Sequence, residues 1–543
     1  MKSTRMPDNN KISGFYARYY YLIIVLLLLL ALFLRLFRLG ELPRGLHVDE
    51  VGMAYDAWSI SEFGVDRYLK SLPVYLTNFG GGQSVMYCYL TALLFKLGAP
   101  TISVIIRLPG VVMSMVTGIF GFLLIRKMRG REAGLLFLII YLTVPYFTQA
   151  SRVALDCNLM LGMSVLMLYV LQKCLDTENE QTISCFIILG IITGMTFYTY
   201  ALSYVVIPLF YLGVGVIMLI CRHKIRLKEI FAFMIPVIII AIPLVFVQIV
   251  NMFDLDEFKI FNLTITKLIY YRGNEISLSE IGDNIRWIYR SIFTADNTEF
   301  DTFRQFGALY IFSLPVIIGG GIITVIRSIK EAKKGRILFD GLILLYTVTV
   351  LFAALFIQGV TTYRINSVFF GLAFLITIVL ECLTVDLPGR MDRRTSGNVI
   401  RGAGIALTAL YIVSSVFYLR YYFCKYEDDI YPQRLFAEDP AEAFCYVESQ
   451  PDDIRNRLTY VGGVDEAYVY YMLSMHIPPY DYDTATYGNN GDGIRYTFYT
   501  RSPYDMNSNY IMYVPEDEAT EELLSAGFTE TDFGPYRVFI HGE

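Results

Sequence analysis

The sequence GLHVDEVGMAY at residues 45–55 follows a first apolar run, YYLIIVLLLLLALFLRLF, at residues 20–37. Asp49 and Glu50 stand side by side in it between apolar neighbours. Adjacent carboxylates repel each other, and ionised groups near a membrane are costly unless a polar cavity holds them. A solvated loop is the ordinary alternative for such a pair. The two acids alone therefore do not distinguish a functional site from a solvated surface loop, and the rest of the sequence has to be considered.

The composition of the chain is that of a membrane protein. Of its 543 residues, 55% are hydrophobic and 17% are charged, which is too apolar for a soluble globular protein of this size. The net charge of −5 and the lack of a long basic tract argue against nucleic acid as a partner. The eight cysteines show neither CxxC nor Cys/His spacing, which argues against a metal or redox framework.

Apolar runs of about 17–25 residues predict the membrane-spanning helices. The first run lacks a small-residue cleavage site and is therefore predicted to be an uncleaved first helix. Eleven spans are predicted, near residues 20–37, 103–125, 133–149, 155–173, 183–200, 203–221, 229–250, 306–326, 337–357, 365–385 and 400–420.

The positive charges predict which loops face the cytoplasm, because short cytoplasmic loops collect Lys and Arg. Eleven spans starting from a cytoplasmic N-terminus put every basic cluster inside, namely the N-terminus, RKMRGR (126–131), CRHKIRLK (221–228), RSIKEAKKGR (327–336) and GRMDRR (389–394). This placement of the basic clusters requires that the apolar segment 84–98 does not cross the membrane. We therefore expect that segment to be an interfacial or re-entrant helix on the outer face.

This topology predicts the domain organisation. The cytoplasmic N-terminus covers residues 1–19, the transmembrane catalytic domain residues 20–420, and an extracytoplasmic domain residues 421–543. The first outer loop, 38–102, and the long outer loop, 251–305, lie on the side of the two acids. Long structured loops are more often functional than incidental.

The tail differs in composition from the spans, since it is acidic and rich in tyrosine. RLTYVGG (457–463) predicts a strand and DEAYVYYMLSM (465–475) a helix. Residues 509–540 predict a strand, a helix and a strand. About 100 residues suffice for a core, so a small α/β domain is expected. The loop DYDTATYGNNGDG (481–493) does not match a calcium-binding pattern.

Two further groups of polar residues fall at predicted outer ends of spans. Arg152 and Asp156, in SRVALDCN, are four residues apart and would share a face of a helical turn. Arg364, in TTYRINS, has the fork geometry that binds a phosphate with two parallel hydrogen bonds. Taken singly, Arg152 is as well explained as an interfacial anchor, and Arg364 by contact with ordinary phospholipid.

Together these motifs resemble a known superfamily. A first span, GLHVDE, the series RLPGVVMSMVTGIFGFLLIRKMRGREAGLLFLIIYLTVPYFTQASRVALD (107–156) and the late YR resemble the GT-C superfamily of polytopic glycosyltransferases. The chain is most similar to bacterial and archaeal relatives of protein O-mannosyltransferases and of lipid A aminoarabinose transferases. The likeness covers residues 20–170 well, the later spans by topology only, and the tail scarcely at all.

The resemblance implies a fold and an activity. The expected fold is an α-helical, multi-pass protein of the plasma (inner) membrane. The expected activity is inverting transfer of a hexose or pentose from a polyprenyl-phosphate donor to a hydroxyl of a glycan, lipid or protein. The resemblance makes Asp49 the general base and Glu50 its partner. Arg152 and Asp156 match the second-loop motif, and Arg364 matches the arginine near the donor phosphate.

Two features leave alternatives open. NFGGGQS (78–84) stands where many relatives have a paired Pro-Pro, so the acceptor class is undetermined. Family members differ in their need for a divalent ion, for which Asp49 and Glu50 are the candidate ligands. A flippase or transporter of a lipid-linked glycan is the alternative function. Such proteins tend to have repeated halves, which this sequence does not show.

Overall fold

A computed structural model describes residues 14–176, 183–270, 279–294, 303, 305–390, 394–426, 435–481, 496–498, 505–513 and 520–542. Most of the predicted N-terminal segment and nearly all of the 481–493 loop lie outside these residues. The chain divides into two compact units. The helical unit comprises residues 1–37, 110–252 and 271–421, and the mixed unit residues 38–109, 253–270 and 422–543.

Helices make up most of the described chain. They are α1 Gly14–Leu36, α2 Val48–Phe63, α3 Val85–Lys96, α4 Ser103–Arg129, α5 Arg131–Thr143, α6 Pro145–Gln149, α7 Asn158–Cys174, α8 Ile183–Thr196, α9 Ser203–Ile220, α10 Leu227–Met252, α11 Ile281–Phe293, α12 Ser313–Ala332, α13 Phe339–Ala354, α14 Val368–Glu381, α15 Leu387–Arg390, α16 Arg394–Cys424, α17 Ala441–Glu448, α18 Asp452–Arg455, α19 Ala467–Ser474 and α20 Thr520–Ser525.

The described helices include seven that are long and apolar enough to cross a membrane. The number is eight if Arg131–Thr143 and Pro145–Arg152, which meet at a 70° bend, form one span. The chain is therefore a multi-pass membrane protein. The predicted count of eleven is not confirmed, because the other three predicted spans coincide with the shorter apolar helices Asn158–Cys174, Ile183–Thr196 and Phe339–Ala354.

In the helical unit, α8 packs against α10, and α14 packs against α5 and α12. An ion cluster joins the ends of four helices. Arg129 on α4 contacts Glu381 at the end of α14 at 2.7 Å and Asp340 at the start of α13 at 3.4 Å. Arg327 on α12 contacts Asp386 at 2.6 Å. Arg129 also contacts Asp386, at 3.4 Å, so the ends of α4 and α12, which carry the basic clusters 126–131 and 327–336, lie close together.

The mixed unit contains a five-stranded sheet with the order β10-β11-β9-β7-β8. β7 lies parallel to β8 and β9, and the other neighbours are antiparallel. The strands predicted near residues 457–463 and at both ends of 509–540 are confirmed, as is the helix within 465–475. The strands of the chain are β1 Leu46–His47, β2 Tyr75–Leu76, β3 Gln83–Ser84, β4 Phe258–Ile260, β5 Leu263–Ile265, β6 Phe436–Ala437, β7 Thr459–Gly462, β8 Tyr496–Thr497, β9 Asn509–Tyr513, β10 Thr529–Phe533 and β11 Tyr536–Ile540.

The first loop folds into the mixed unit around two helices. α2 packs against α3 and against α19 of the tail. α3 lies in the segment that was predicted not to cross the membrane. It has 12 residues, whereas a helix that crosses a membrane needs about 20. The compact unit that holds the two acids thus combines the first loop with the tail.

Candidate active site

The two acids occupy the first turn of helix α2. His47 is the N-cap residue, and its Nδ1 accepts a hydrogen bond from the Asp49 N–H at 3.2 Å. Glu50 Oε2 in turn accepts from the His47 N–H at 2.9 Å, which completes a capping box. Carboxylates in this position are stabilised by the helix dipole. The adjacent acids are thus compatible with a stable helix start.

Glu50 forms a buried ion pair with Arg107 of α4. Arg107 Nε lies 2.9 Å from Glu50 Oε1, and Nη2 lies 3.0 Å from Oε2. Both side chains are inaccessible to solvent. Arg107 also donates to the carbonyls of Leu39, Pro43 and Gly45, at 2.6–3.1 Å. Glu50 therefore anchors the loop between α1 and α2 through this arginine.

Asp49 is in a different environment. Its side chain is 42% exposed, whereas that of Glu50 is fully buried. Asp49 Oδ1 accepts a hydrogen bond from Asn78 Nδ2 at 3.3 Å, and Oδ2 lies 3.8 Å from His47 Nδ1. Of the two adjacent carboxylates, Asp49 is the one that a substrate can reach.

The tail supports the acid loop directly. β1 pairs with β6, with Leu46 opposite Ala437 and His47 opposite Phe436. The Tyr470 hydroxyl donates to the Leu46 carbonyl at 2.8 Å. Gly45 has a φ of +79°, and a Cβ on it would lie 2.3 Å from the Ala437 carbonyl. Sequence reasoning missed this contact, although the glycine before the acids was a local sign of a close approach.

Arg152 and Asp156 lie in the helical unit. Arg152 is fully buried, and its Nη1 donates to the carbonyls of Leu34 and Arg35, in the last turn of α1, at 3.1 and 2.9 Å. Asp156 Oδ1 accepts from the Cys157 N–H at 2.8 Å. Arg152 thus satisfies carbonyls that a helix end leaves without an intrahelical donor.

Arg364 is also in the helical unit, where its segment contacts the turn that holds Asp156. The Asn366 side-chain amide donates to the Cys157 carbonyl, which links the two predicted groups. Arg364 is partly exposed, and its Nη1 donates to the Gln358 carbonyl at 2.6 Å. Asn366 lies two residues after Arg364 in TTYRINS, and the sequence analysis gave it no role.

The acid pair does not by itself form a good divalent-cation site. Both oxygens of Glu50 already accept hydrogen bonds from Arg107, whose charge opposes a cation there. Within the described ranges, no group of three or more His, Cys, Asp or Glu side chains is arranged to hold a metal ion.

The fold and the acid-bearing loop define a class, that of polytopic membrane proteins with a spanning helical unit and a second unit built from loops and tail. Residues 82–248 match the family model described as dolichyl-phosphate-mannose-protein mannosyltransferase. No curated protein matches the chain in sequence.

Two solved structures share the fold over nearly the whole chain. ArnT from Cupriavidus metallidurans bound to undecaprenyl phosphate has a TM-score of 0.54 at 12% identity, covering 96% of this chain and 98% of that one. The apo state of the same protein has a TM-score of 0.50 at 10% identity, covering 97% and 98%. The family match and this fold confirm the resemblance to GT-C polytopic membrane glycosyltransferases.

Proposed function

We propose that this protein transfers a hexose or pentose from a polyprenyl-phosphate donor to a hydroxyl group of a glycan, lipid or protein. Asp49 removes the proton of the acceptor hydroxyl as its oxygen attacks the anomeric carbon. The bond between that carbon and the phosphate oxygen breaks, and polyprenyl phosphate leaves with the electron pair. A single in-line displacement inverts the anomeric configuration.

The observation that carries this proposal is the unequal environment of the two acids. Glu50 is fully buried against Arg107, whereas the Asp49 side chain is 42% exposed beside it. A general base has to reach the proton that it removes, and only Asp49 meets this condition. General-base assistance of this kind is worth about 10²–10⁴-fold in rate.

The donor side of the proposal rests on Arg364, Arg152 and Asp156. Lipid phosphate is a good leaving group, so charge stabilisation by an arginine suits the departing phosphate. Arg364 is partly exposed and suits direct contact, while buried Arg152 suits a role in holding the turn that contains Asp156. ArnT, which shares the fold, is a protein crystallised with undecaprenyl phosphate, and this supports a donor of that class.

The proposal includes a location for the reaction. The acids, the arginines near the donor and the tail lie outside the cytoplasm, with the N-terminus inside. Residues 20–420 form the transmembrane catalytic domain and residues 421–543 an extracytoplasmic α/β domain. The charge clusters of the loops support this orientation. The comparisons do not favour the flippase alternative.

A transfer assay tests the proposal. Membranes that contain wild-type or Asp49→Asn protein receive synthetic polyprenyl-phosphate sugars carrying a radiolabel in the sugar. We expect label to leave the lipid with the wild type, and about 10²–10⁴-fold more slowly with Asp49→Asn. Glu62→Gln, an exposed acid on the same helix, serves as the matched control and retains wild-type activity.

The labelled product identifies the acceptor as glycan, lipid or protein. Equal transfer by wild type and by a stably produced Asp49→Asn protein would exclude Asp49 as the base. An intact donor that changes leaflet without losing label would support the flippase instead.

A further inference from the structure

A polar network runs along one face of helix α2 and ends at Asp49. Asp49, Gly52 and Asp56 are spaced i, i+3 and i+7, so they share that face. The loop between α2 and α3 crosses the same face and brings Arg67 to Asp56 and Asn78 to Asp49. The middle position allows this approach because it is glycine. A Cβ on Gly52 would lie 2.5 Å from Asn78 Oδ1 and 2.8 Å from Arg67 Nη2.

The end of the network remote from Asp49 is a buried, bidentate ion pair. Arg67 Nε lies 3.0 Å from Asp56 Oδ1, and Nη2 lies 2.9 Å from Oδ2. The Arg67 N–H also donates to Asp56 Oδ1, at 3.0 Å. Both side chains are almost completely buried. Bidentate arginine–carboxylate pairs fix orientation as well as distance, so Arg67 is held in one position.

Asn78 connects this ion pair to Asp49. Its Oδ1 accepts a hydrogen bond from Arg67 Nη2 at 2.8 Å. A guanidinium can only donate, so the side-chain oxygen of Asn78 has to face Arg67. Its Nδ2 consequently faces Asp49 Oδ1 at 3.3 Å and Gln83 Oε1 at 3.1 Å.

The backbone of Asn78 is fixed as well. Its carbonyl accepts hydrogen bonds from the N–H groups of Gly81 and Gly82, both at 3.1 Å. These residues belong to NFGGGQS, the segment that departs from the Pro-Pro of many relatives. The glycine-rich turn therefore presents a fixed amide to Asp49 from the loop side.

We propose that Asn78 is the positioning residue of the general base, with Arg67 and Asp56 setting its orientation. The inference rests on the proposed function of Asp49. The Asn78 amide donates to one carboxylate oxygen and thereby orients the other oxygen towards the acceptor hydroxyl. An oriented base reacts faster because less of its motion has to be frozen in the transition state. Asn78 itself does not touch the reacting atoms.

Asn78→Asp separates positioning from structure. Aspartate has the same shape and accepts a hydrogen bond from Arg67 at least as well, but it offers Asp49 an oxygen instead of a donor. If Asn78 only satisfies Arg67, this variant keeps wild-type kcat at a pH high enough to ionise both neighbouring carboxylates. If Asn78 positions Asp49, we expect kcat to fall at least tenfold, as for loss of a hydrogen bond to a charged group. The donor KM is expected to stay within about twofold, since the acceptor side alone is disturbed.

Asn78→Ser is the second variant, because its side chain is one atom shorter than that of asparagine and cannot bridge from Arg67 to Asp49. It too is expected to lower kcat at an unchanged donor KM, and it serves if Asn78→Asp does not fold. Melting temperatures of the purified proteins establish that each variant is folded. Wild-type kcat in either folded variant, or a loss confined to KM, overturns the inference while leaving the proposed function intact. Failure of the wild type to transfer sugar overturns the proposed function and the inference together.

Discussion

Arg107 and Glu50 form a bidentate ion pair, with N–O distances of 2.9 and 3.0 Å, in which neither side chain is exposed to solvent. The pair joins the start of α2 to α4, and the remaining Arg107 donors hold the carbonyls of the preceding loop. The neighbouring Asp49 is thereby placed on a fixed helix start. The two adjacent acids thus have different environments, since Glu50 is buried in an ion pair and the Asp49 side chain is partly exposed.

Glu50→Gln is expected to destabilise the protein. It leaves the Arg107 charge buried without its partner, and breaking a buried pair in this way costs about 3–5 kcal/mol. Asp49→Asn, at a partly exposed side chain, is expected to leave the melting temperature nearly unchanged. Thermal unfolding of both purified variants in the same detergent measures the contrast. Equal melting temperatures for Glu50→Gln and wild type would contradict the anchoring role of Glu50.

The helical, multi-pass character of the chain was predictable because apolar helices leave local signals in the sequence. Long apolar runs predict helices near the positions observed, and the adjacent acids Asp49 and Glu50 mark the first loop as a candidate site. Helix length was less predictable, because α7, α8 and α13 are shorter than the runs predicted at 155–173, 183–200 and 337–357. Residues that flank a helix can also be apolar because neighbouring helices bury them. An apolar run can therefore be longer than the helix that it contains.

The contacts that organise the site were not predictable, because they join residues far apart in the chain. Arg107 is 57 residues from Glu50, and Phe436 pairs with His47 from the tail. A single sequence carries no signal for such pairs. Arg107 therefore entered the sequence analysis only as the first residue of the series 107–156, and Asn78 only as part of the glycine-rich segment 78–84.

Gly52→Ala is expected to lower activity. The new methyl group would come within 3 Å of both Asn78 Oδ1 and Arg67 Nη2, and overpacking of this kind costs about 1–3 kcal/mol. It would also displace Asn78 from Asp49, so kcat should fall with stability. Gly215→Ala is the matched control, a helical glycine whose Cβ would meet nothing within 4 Å. Wild-type kcat and melting temperature in Gly52→Ala would refute the close approach.

Arg364→Lys is expected to weaken donor binding. Lysine keeps the charge but loses the planar fork that binds a phosphate with two hydrogen bonds. Loss of one charge-assisted hydrogen bond, about 1.5–3 kcal/mol, predicts at least a tenfold rise in the donor KM. Arg336→Lys, at an exposed arginine outside the candidate site, should leave KM unchanged. Titration of the polyprenyl-phosphate sugar in the transfer assay measures both, and an unchanged KM for Arg364→Lys removes Arg364 from the donor site.

Asp66 makes the stability of the mixed unit depend on pH. Burial, reinforced by the nearby Asp56, raises the pKa of Asp66 from its ordinary 3.8 to about 7. The folded chain therefore retains a proton that the unfolded chain releases between pH 4 and 7. Since the folded state binds more protons in this window, the free energy of unfolding falls as pH rises towards 7.

Asp66→Asn should abolish this dependence. The Asp66 Oδ1 atom accepts from the N–H groups of Tyr68 and Lys70, both at 2.9 Å, and an asparagine oxygen can do the same. Asparagine cannot ionise, so the variant should gain melting temperature relative to wild type between pH 5 and 7, with no further gain above about pH 8. Thermal unfolding across this range measures the difference. Asp254→Asn changes an exposed side chain, so its melting temperature should vary with pH in the same way as that of the wild type. If the melting temperature of Asp66→Asn also varied with pH in parallel with the wild type, Asp66 would already be ionised in the folded protein at pH 5.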